Sequence, residues 1–335
     1  MGLKVIVESH IPYIKGVVEQ VGEVKYLAPE EMTREAVADA DAIITRTRTR
    51  CDRELLEGSR CRLVVSATIG LDHVDRQWCE SAGITVANAP GCNAPAVAQY
   101  VCASLLSVWG GSVSGRTLGV VGVGNVGKIV ARWAKSLGMK VLLCDPPRAE
   151  REGGKDFCSL EKIADEADAV TFHTPLTRGG EHATYHLCGR DFLSRVKNAP
   201  VIINSARGGV VDTAALVEAL RSGAVSQAVI DCWEGEPNID RELLELSAIA
   251  TPHIAGYSAE GKIRATHMAV NALTEFFGLP KCKFGEPTPA DAPEGVSADM
   301  IMSTYDPMDD TRALRSVPEN FEALRNHYHL RQEPR

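Results

Sequence analysis

Short apolar runs alternate with amphipathic stretches along most of the chain. Lys4–Val7, Glu23–Tyr26, Ala42–Thr45, Leu63–Ser66 and Thr85–Ala87 read as short strands. Ile11–Val21, Arg34–Ala38 and Asp52–Glu57 read as the helices between them. A longer helix over about Pro95–Val108 and a loop at Gly110–Gly115 follow. A second series then opens at Leu118. Its strands are Leu118–Val121, Val141–Cys144, Ala169–Phe172, Val201–Asn204, Val229–Asp231 and Ile249–Ala250. Leu160–Ala164, Asp191–Arg195 and Ala214–Arg221 read as its helices, and Ala259–Phe277 as a long closing helix. Repeated strand–helix alternation predicts parallel sheets with helices on their faces. The fold class expected is therefore α/β, with two Rossmann-like, doubly wound parallel-sheet domains.

The two long helices at the boundaries suggest a discontinuous arrangement. One domain takes residues 1–93 and 258–280; the other takes 94–257. Beyond Gly278 the pattern breaks. Pro280, Pro287, Pro289 and Pro293 mark a linker, Ala298–Tyr305 reads as strand-like, then comes Asp306–Arg312, and about Glu319–Leu330 as a polar helix. So short a tail, 281–335, needs another surface to pack on.

The stretch Leu118–Asp145 carries the most specific chemistry. An apolar strand runs into Gly122-Val123-Gly124-Asn125-Val126-Gly127, then a helix, a second strand and an acid, Asp145. In this context Gly122 permits the tight turn, Gly124 lets backbone approach a pyrophosphate, and Gly127 lets helix pack on strand. Asn125 and Val126 open the helix, whose free N–H groups suit phosphate. Asp145 is placed to accept hydrogen bonds from a ribose diol, which favours NAD as cofactor; Arg148 nearby keeps NADP open.

Composition agrees with a soluble enzyme. The 335 residues are 44% hydrophobic and 24% charged, with a net charge of −8, which argues against affinity for nucleic acid or an anionic membrane. No apolar run approaches membrane-spanning length. The N-terminal segment reads as a first strand, not a signal peptide. Ten scattered cysteines without a C-x-x-C pair suit free thiols in a reducing cytoplasm, and no metal site is expected.

Three later segments each end a predicted strand: Asn204-Ser205-Ala206-Arg207, Asp231-Cys232-Trp233-Glu234-Gly235-Glu236 and Thr251-Pro252-His253. Strand carboxyl ends face the ligand crevice in such folds, so Arg207, Glu236 and His253 are candidates for one cleft. Arg207 can bind a carboxylate and polarise the adjoining oxygen. His253 can take a hydroxyl proton as hydride leaves. Glu236 can hold the imidazole in orientation.

These segments resemble the D-2-hydroxyacid dehydrogenase family over about residues 1–280, with further likeness in Ala67–Asp75, Ala89–Ala94, Phe172–Leu176 and Gly256-Tyr257-Ser258. The Cys144–Arg148 and Trp233–Pro237 runs point to a branch acting on a phosphorylated four-carbon acid. The resemblance implies NAD-dependent oxidation of 4-phospho-D-erythronate to its 2-oxo acid, a step of pyridoxal 5′-phosphate biosynthesis. Alternatives are oxidation of another 2-hydroxy acid, such as phosphoglycerate, reduction of hydroxypyruvate, or a nucleotide-sensing, corepressor-like role. It gives Arg207, Glu236 and His253 catalytic roles. Asp145, Thr174, Ser205, Ala206, Arg207, Asp231 and Gly256 become cofactor contacts, and Thr47, Thr68 and Tyr257 substrate contacts. It makes 1–93 plus 258–280 the substrate domain, 94–257 the NAD-binding domain, and 281–335 a linker with a truncated dimerisation segment, hence a homodimer.

The run Thr45-Arg46-Thr47-Arg48-Thr49-Arg50 follows a predicted strand. Alternation would put the three arginines on one side, and Arg46 is favoured as ligand for a substrate phosphate; the alternative is a solvated basic edge. His182 with His186, and His73 with Asp75, carry no pattern that needs a metal.

Overall fold

The computed structural model describes residues 2–335 and divides into two compact units. One holds the residues up to Asn93 together with Ala259–Asp291; the other holds Ala94–Ser258 and Ala292–Arg335.

The first unit is a five-stranded parallel sheet of β1 (Lys4–Glu8), β2 (Glu23–Leu27), β3 (Ala42–Thr45), β4 (Leu63–Ser66) and β5 (Thr85–Ala87), in the order β2-β1-β3-β4-β5. β3 and β4 are buried along their whole length, as expected of continuous apolar runs covered on both faces. The helix Ala259–Phe277 returns to this unit and packs Ala269, Val270 and Leu273 against β1, β3 and β4.

One expected helix does not form. Ile11, Ile14, Val17 and Val18 are buried, as a helical spacing demands, but the segment Ile11–Val21 is a series of turns with only a short 3₁₀ stretch at Val18–Gln20. Tyr13 and Gly16 take left-handed backbone angles, φ +61° and +80°, which no helix accommodates.

The second unit is a six-stranded parallel sheet of β6 (Thr117–Val121), β7 (Lys140–Cys144), β8 (Ala169–Phe172), β9 (Val201–Asn204), β10 (Gln227–Ile230) and β11 (Ile249–Ala250). The order is β11-β10-β9-β8-β6-β7. Strand order reverses at β6, so the crevice between the turns after β6 and β8 is the switch point where such sheets take ligands. The register aligns the carboxyl ends: Cys144 and Phe172 lie beside Val121, Asn204 beside Phe172, Ile230 beside Asn204, and Ala250 beside Ile230. The loops that follow therefore leave the sheet along one edge.

The tail differs from the sequence expectation. Ala298–Met302 is a helix capped by the Ser297 hydroxyl, not a strand. Pro307–Ser316 and Phe321–Asn326 are also helices, the second shorter than the span expected. The surface the tail needs is supplied by its own unit. Ile301 and Tyr305 join the core around the helix Ala94–Val108, and Leu314 and Phe321 enter the core on the other side of the sheet. No helix of the described residues is long and apolar enough to cross a membrane.

Candidate active site

The glycine turn after β6 has the form a dinucleotide requires. Gly122 has φ +86°. A Cβ on Gly127 would stand 2.1 Å from the Gly122 carbonyl oxygen, so only glycine fits where the helix crosses the strand. The helix Asn125–Ser136 begins with no side-chain cap, and Gly124 and Asn125 are exposed at its mouth, with Val126 half-buried behind them. Its first N–H groups thus point to open space, as anion binding needs. Two hydroxyl oxygens on the same sheet edge, Thr174 Oγ1 and Ser205 Oγ, are buried without a hydrogen-bond partner. Such orphaned groups are rare in native folds and fit a bound polar ligand. The residues present fit NAD.

Asp145 sits where expected, at the end of β7, and it is already at work. Its Oδ2 accepts the Val123 N–H at 2.8 Å and its Oδ1 the Arg148 N–H at 3.1 Å, so the acid also fixes the glycine turn. A carboxylate has capacity for further donors. Arg148 is held by both oxygens of Glu152, at 2.9 and 2.7 Å, and donates to the Val123 carbonyl. That occupied guanidinium is poorly disposed toward a 2′-phosphate.

His253 and Glu236 meet. Their Nδ1 and Oε2 are 2.8 Å apart, and both side chains are partly exposed, at 28% and 20%. Glu236 Oε1 accepts the Trp233 N–H at 2.8 Å, which fixes the carboxylate. Burial pushes the Glu236 carboxyl up; its hydrogen bond to His253, the charge of that ring, the Trp233 N–H and the charge of Arg325 outweigh it and hold it below the ordinary range. With Nδ1 committed to Glu236, Nε2 is the nitrogen left for proton exchange. His253 has φ +56°, a conformation that persists in a non-glycine residue only when its surroundings impose it.

Those surroundings centre on Asp231, which is 1% exposed. Its Oδ1 accepts from the Thr251 hydroxyl and the Ile254 N–H, both at 2.7 Å, and its Oδ2 from the Ala255 N–H at 3.0 Å. Burial raises its pKa, against the charge of His253 and these donors. The carboxylate expected to meet cofactor thus also holds the loop that carries His253 and leads to Gly256.

Arg207 follows Ala206 on the loop after β9, and its Nη1 donates to the Ala206 carbonyl at 2.8 Å. Sequence reasoning missed Asn204, the buried last residue of β9. Its amide donates to the Arg207 carbonyl at 2.9 Å and the Cys232 carbonyl at 3.0 Å, and its Oδ1 accepts the Ala206 N–H at 3.2 Å. It ties the Arg207 loop to the Glu236 loop. They run so close that a Cβ on Gly208 would lie 1.9 Å from the Trp233 carbonyl oxygen. His186, weighed in the sequence only as a metal ligand, has a structural role. Its Nε2 lies 2.7 Å from Glu234, which in turn accepts the Thr213 N–H at 3.0 Å, pinning the Glu236 loop from outside.

Arg46, Thr47 and Thr68 lie in the first unit, where β3 and β4 end side by side. The Arg46 N–H donates to buried Glu8 at 2.8 Å and its Nη1 to the His10 carbonyl at 3.2 Å. Thr47 is exposed, and the Thr68 hydroxyl shares a 2.8 Å hydrogen bond with Ser66. The strand ends at Thr45, yet Thr45 and Thr49 are buried and all three arginines reach the surface side, with only Thr47 departing from the expected alternation. Arg46 is half-buried, while Arg50 is exposed and paired with Asp52 at 2.7 Å. Tyr257 lies in the second unit, its N–H bonded to the Ile254 carbonyl at 2.8 Å.

A glycine turn at a topological switch point, an arginine and a glutamate–histidine pair on one sheet edge define a nucleotide-dependent dehydrogenase of hydroxy acids. Residues 101–255 match the family described as D-isomer specific 2-hydroxyacid dehydrogenase, NAD binding domain. The erythronate-4-phosphate dehydrogenase of Bacteroides thetaiotaomicron is 48% identical over 340 residues, covering 99% of this chain and 97% of its own. The solved structure of the TT0316 protein from Thermus thermophilus superposes with a TM-score of 0.72 at 30% identity, over 83% of this chain and 98% of its own. D-lactate dehydrogenase from Aquifex aeolicus, complexed with NAD and lactic acid, gives 0.68 at 26% identity over 82% and 95%. The chain belongs to the D-isomer specific 2-hydroxyacid dehydrogenase family.

Proposed function

We propose that this protein oxidises 4-phospho-D-erythronate at C2 to 3-hydroxy-2-oxo-4-phosphooxybutanoate with NAD, in pyridoxal 5′-phosphate biosynthesis. The observation that carries the chemistry is the 2.8 Å His253–Glu236 pair, on the same sheet edge as the glycine turn. The near full-length likeness to erythronate-4-phosphate dehydrogenases supports the substrate.

Gly122–Gly127, with Asp145, Thr174, Ser205, Ala206, Asp231 and Gly256, would hold NAD, which would supply the acceptor for the C2 hydride. Arg207 binds the substrate carboxylate and polarises the C2 oxygen. His253 Nε2 takes the C2 hydroxyl proton as the carbonyl forms, and Glu236 holds the ring and stabilises the imidazolium produced. Asp231 acts on this reaction by holding the His253 loop. Thr47, Thr68 and Tyr257 are assigned to the substrate by family resemblance, and Arg46 to its phosphate from its place just after β3 and the fit of a guanidinium to phosphate. The protein is proposed to work as a cytoplasmic homodimer.

The test is purified protein with NAD and a panel of 2-hydroxy acids, with and without a terminal phosphate, followed by NADH absorbance. A clear preference for 4-phosphoerythronate is expected. Equal rates on unphosphorylated acids would sink the phosphate-specific reading and leave a general 2-hydroxy-acid dehydrogenase.

A further inference from the structure

The tail brings one more cation to this sheet edge. Arg325 lies on the helix Phe321–Asn326, whose Phe321 is fully buried and whose Leu324 packs beside it, so the helix is fixed to its own unit. The Arg325 side chain is only 19% exposed. Its guanidinium lies within electrostatic reach of the Tyr257 side chain, on the loop that begins at His253. Tyr257 meets the Tyr328 ring edge-on, centroids 6.1 Å apart, so that the same tail segment braces the phenol.

The donors of Arg325 are not fully used. Its Nε is buried without a hydrogen-bond partner. Its ion pair is long, with Nη1 3.8 Å from Glu322 Oε1. Burying a guanidinium with an unmet donor is unfavourable unless an acceptor arrives from elsewhere. Arg207 is already matched to the substrate carboxylate. The acceptor that suits Arg325 is therefore a second anion with several oxygens, able to take a planar fork of N–H groups.

We propose that Arg325, with the Tyr257 hydroxyl beside it, binds the phosphate of the substrate. This rests on the reading of the protein as a dehydrogenase of a phosphorylated 2-hydroxy acid. It makes the C-terminal segment part of the substrate site, where sequence reasoning gave it only an assembly role.

The experiment compares Arg325→Gln, Arg325→Lys and Arg46→Ala with the wild type, all full-length, on 4-phosphoerythronate and on erythronate. Inorganic phosphate serves as a competitive inhibitor. For Arg325→Gln, KM for 4-phosphoerythronate should rise roughly 10- to 100-fold. Turnover of erythronate should fall much less than that of 4-phosphoerythronate, since it loses only the charge that acts on Glu236, and inhibition by inorganic phosphate should weaken in step with the rise in KM. Arg325→Lys keeps the charge without the fork, so its KM should fall between, which also covers the case in which the glutamine variant folds poorly. Equal losses on both substrates with phosphate inhibition intact would overturn the proposal, as would a KM effect confined to Arg46→Ala. The underlying reading fails separately: a wild type that uses erythronate as well as its phosphate refutes it before any variant is made.

Discussion

Arg331 is the strongest test of what holds the catalytic loop. It is 7% exposed, four residues from the end of the chain. Its Nε donates to Gln99 Oε1 at 2.9 Å, its Nη1 to the Ile254 carbonyl at 3.0 Å and the Tyr328 hydroxyl at 3.3 Å, and its Nη2 to the Ala96 carbonyl at 3.1 Å and the Ala255 carbonyl. Its guanidinium also covers the Tyr305 ring at 4.2 Å. Replacing it by methionine keeps most of the volume and leaves these acceptors unmet in a dry interior. Summing about 1.5–3 kcal/mol per charged hydrogen bond would overshoot, because the wild type bears the desolvation of the guanidinium. Removing one partner from a buried charged network typically costs about 3–5 kcal/mol. For a unit of this size that lowers the melting temperature by roughly 6–20 °C. Two of the acceptors directly follow His253, so turnover should fall as well, with NAD affinity less affected. Thermal melting followed by circular dichroism, with NADH production on the same samples, provides the check. An unchanged melting temperature would refute the reasoning, since the network would then be contributing nothing that methionine packing does not replace.

Other outcomes follow from the site. His253→Ala should lower kcat by roughly 10²–10⁴-fold, because the proton acceptor is lost, while NAD affinity measured by fluorescence titration stays near wild type. Asp145→Ala should weaken NAD binding by more than a lost ribose contact alone, because the Val123 N–H also loses its acceptor; equal NAD titrations of variant and wild type would contradict this. Burial lowers the His173 pKa to about 3, so its neutral form is favoured by folding. The stability this gives is complete above the unfolded histidine pKa of about 6.5 and is lost as pH falls toward 3. Melting temperatures of the wild type should therefore drop between pH 7 and pH 5, and those of His173→Gln should drop less; parallel curves would rule out His173 as the cause.

Most of the sheet architecture was legible because parallel strands buried on both faces are written as unbroken apolar runs. Ala42–Thr45, Leu63–Ser66 and Val201–Asn204 form strands within the expected bounds. The glycine turn and Asp145 were equally legible, since their spacing follows from covalent geometry. The expected helix at Ile11–Val21 was misread because its apolar spacing is helical while Tyr13 and Gly16 adopt backbone angles that spacing does not reveal. In the arginine run only Thr47 departs from the expected alternation: β3 stops at Thr45, and Thr47 is exposed while Thr45 and Thr49 are buried.

What the pattern of residues conceals is how the reactive groups are held. His253 is recognisable from its place after a strand, but its left-handed backbone is imposed by partners far away in sequence. Asp231 grips the loop from below through Thr251, Ile254 and Ala255. Arg331 takes the two carbonyls that follow the histidine. The Ser258 hydroxyl donates to Glu333 at 2.7 Å, closing the loop at its other end. None of these pairings has a local spacing to betray it. They also explain why a polar, proline-led tail is folded at all. Beside the apolar groups it gives to both cores, it supplies a buried arginine and a carboxylate to a loop whose carbonyls and hydroxyl would otherwise be buried unpaired. The tail and the catalytic loop thus satisfy each other's buried polar groups, and the segment most like an appendage in the sequence is part of what holds the histidine in place.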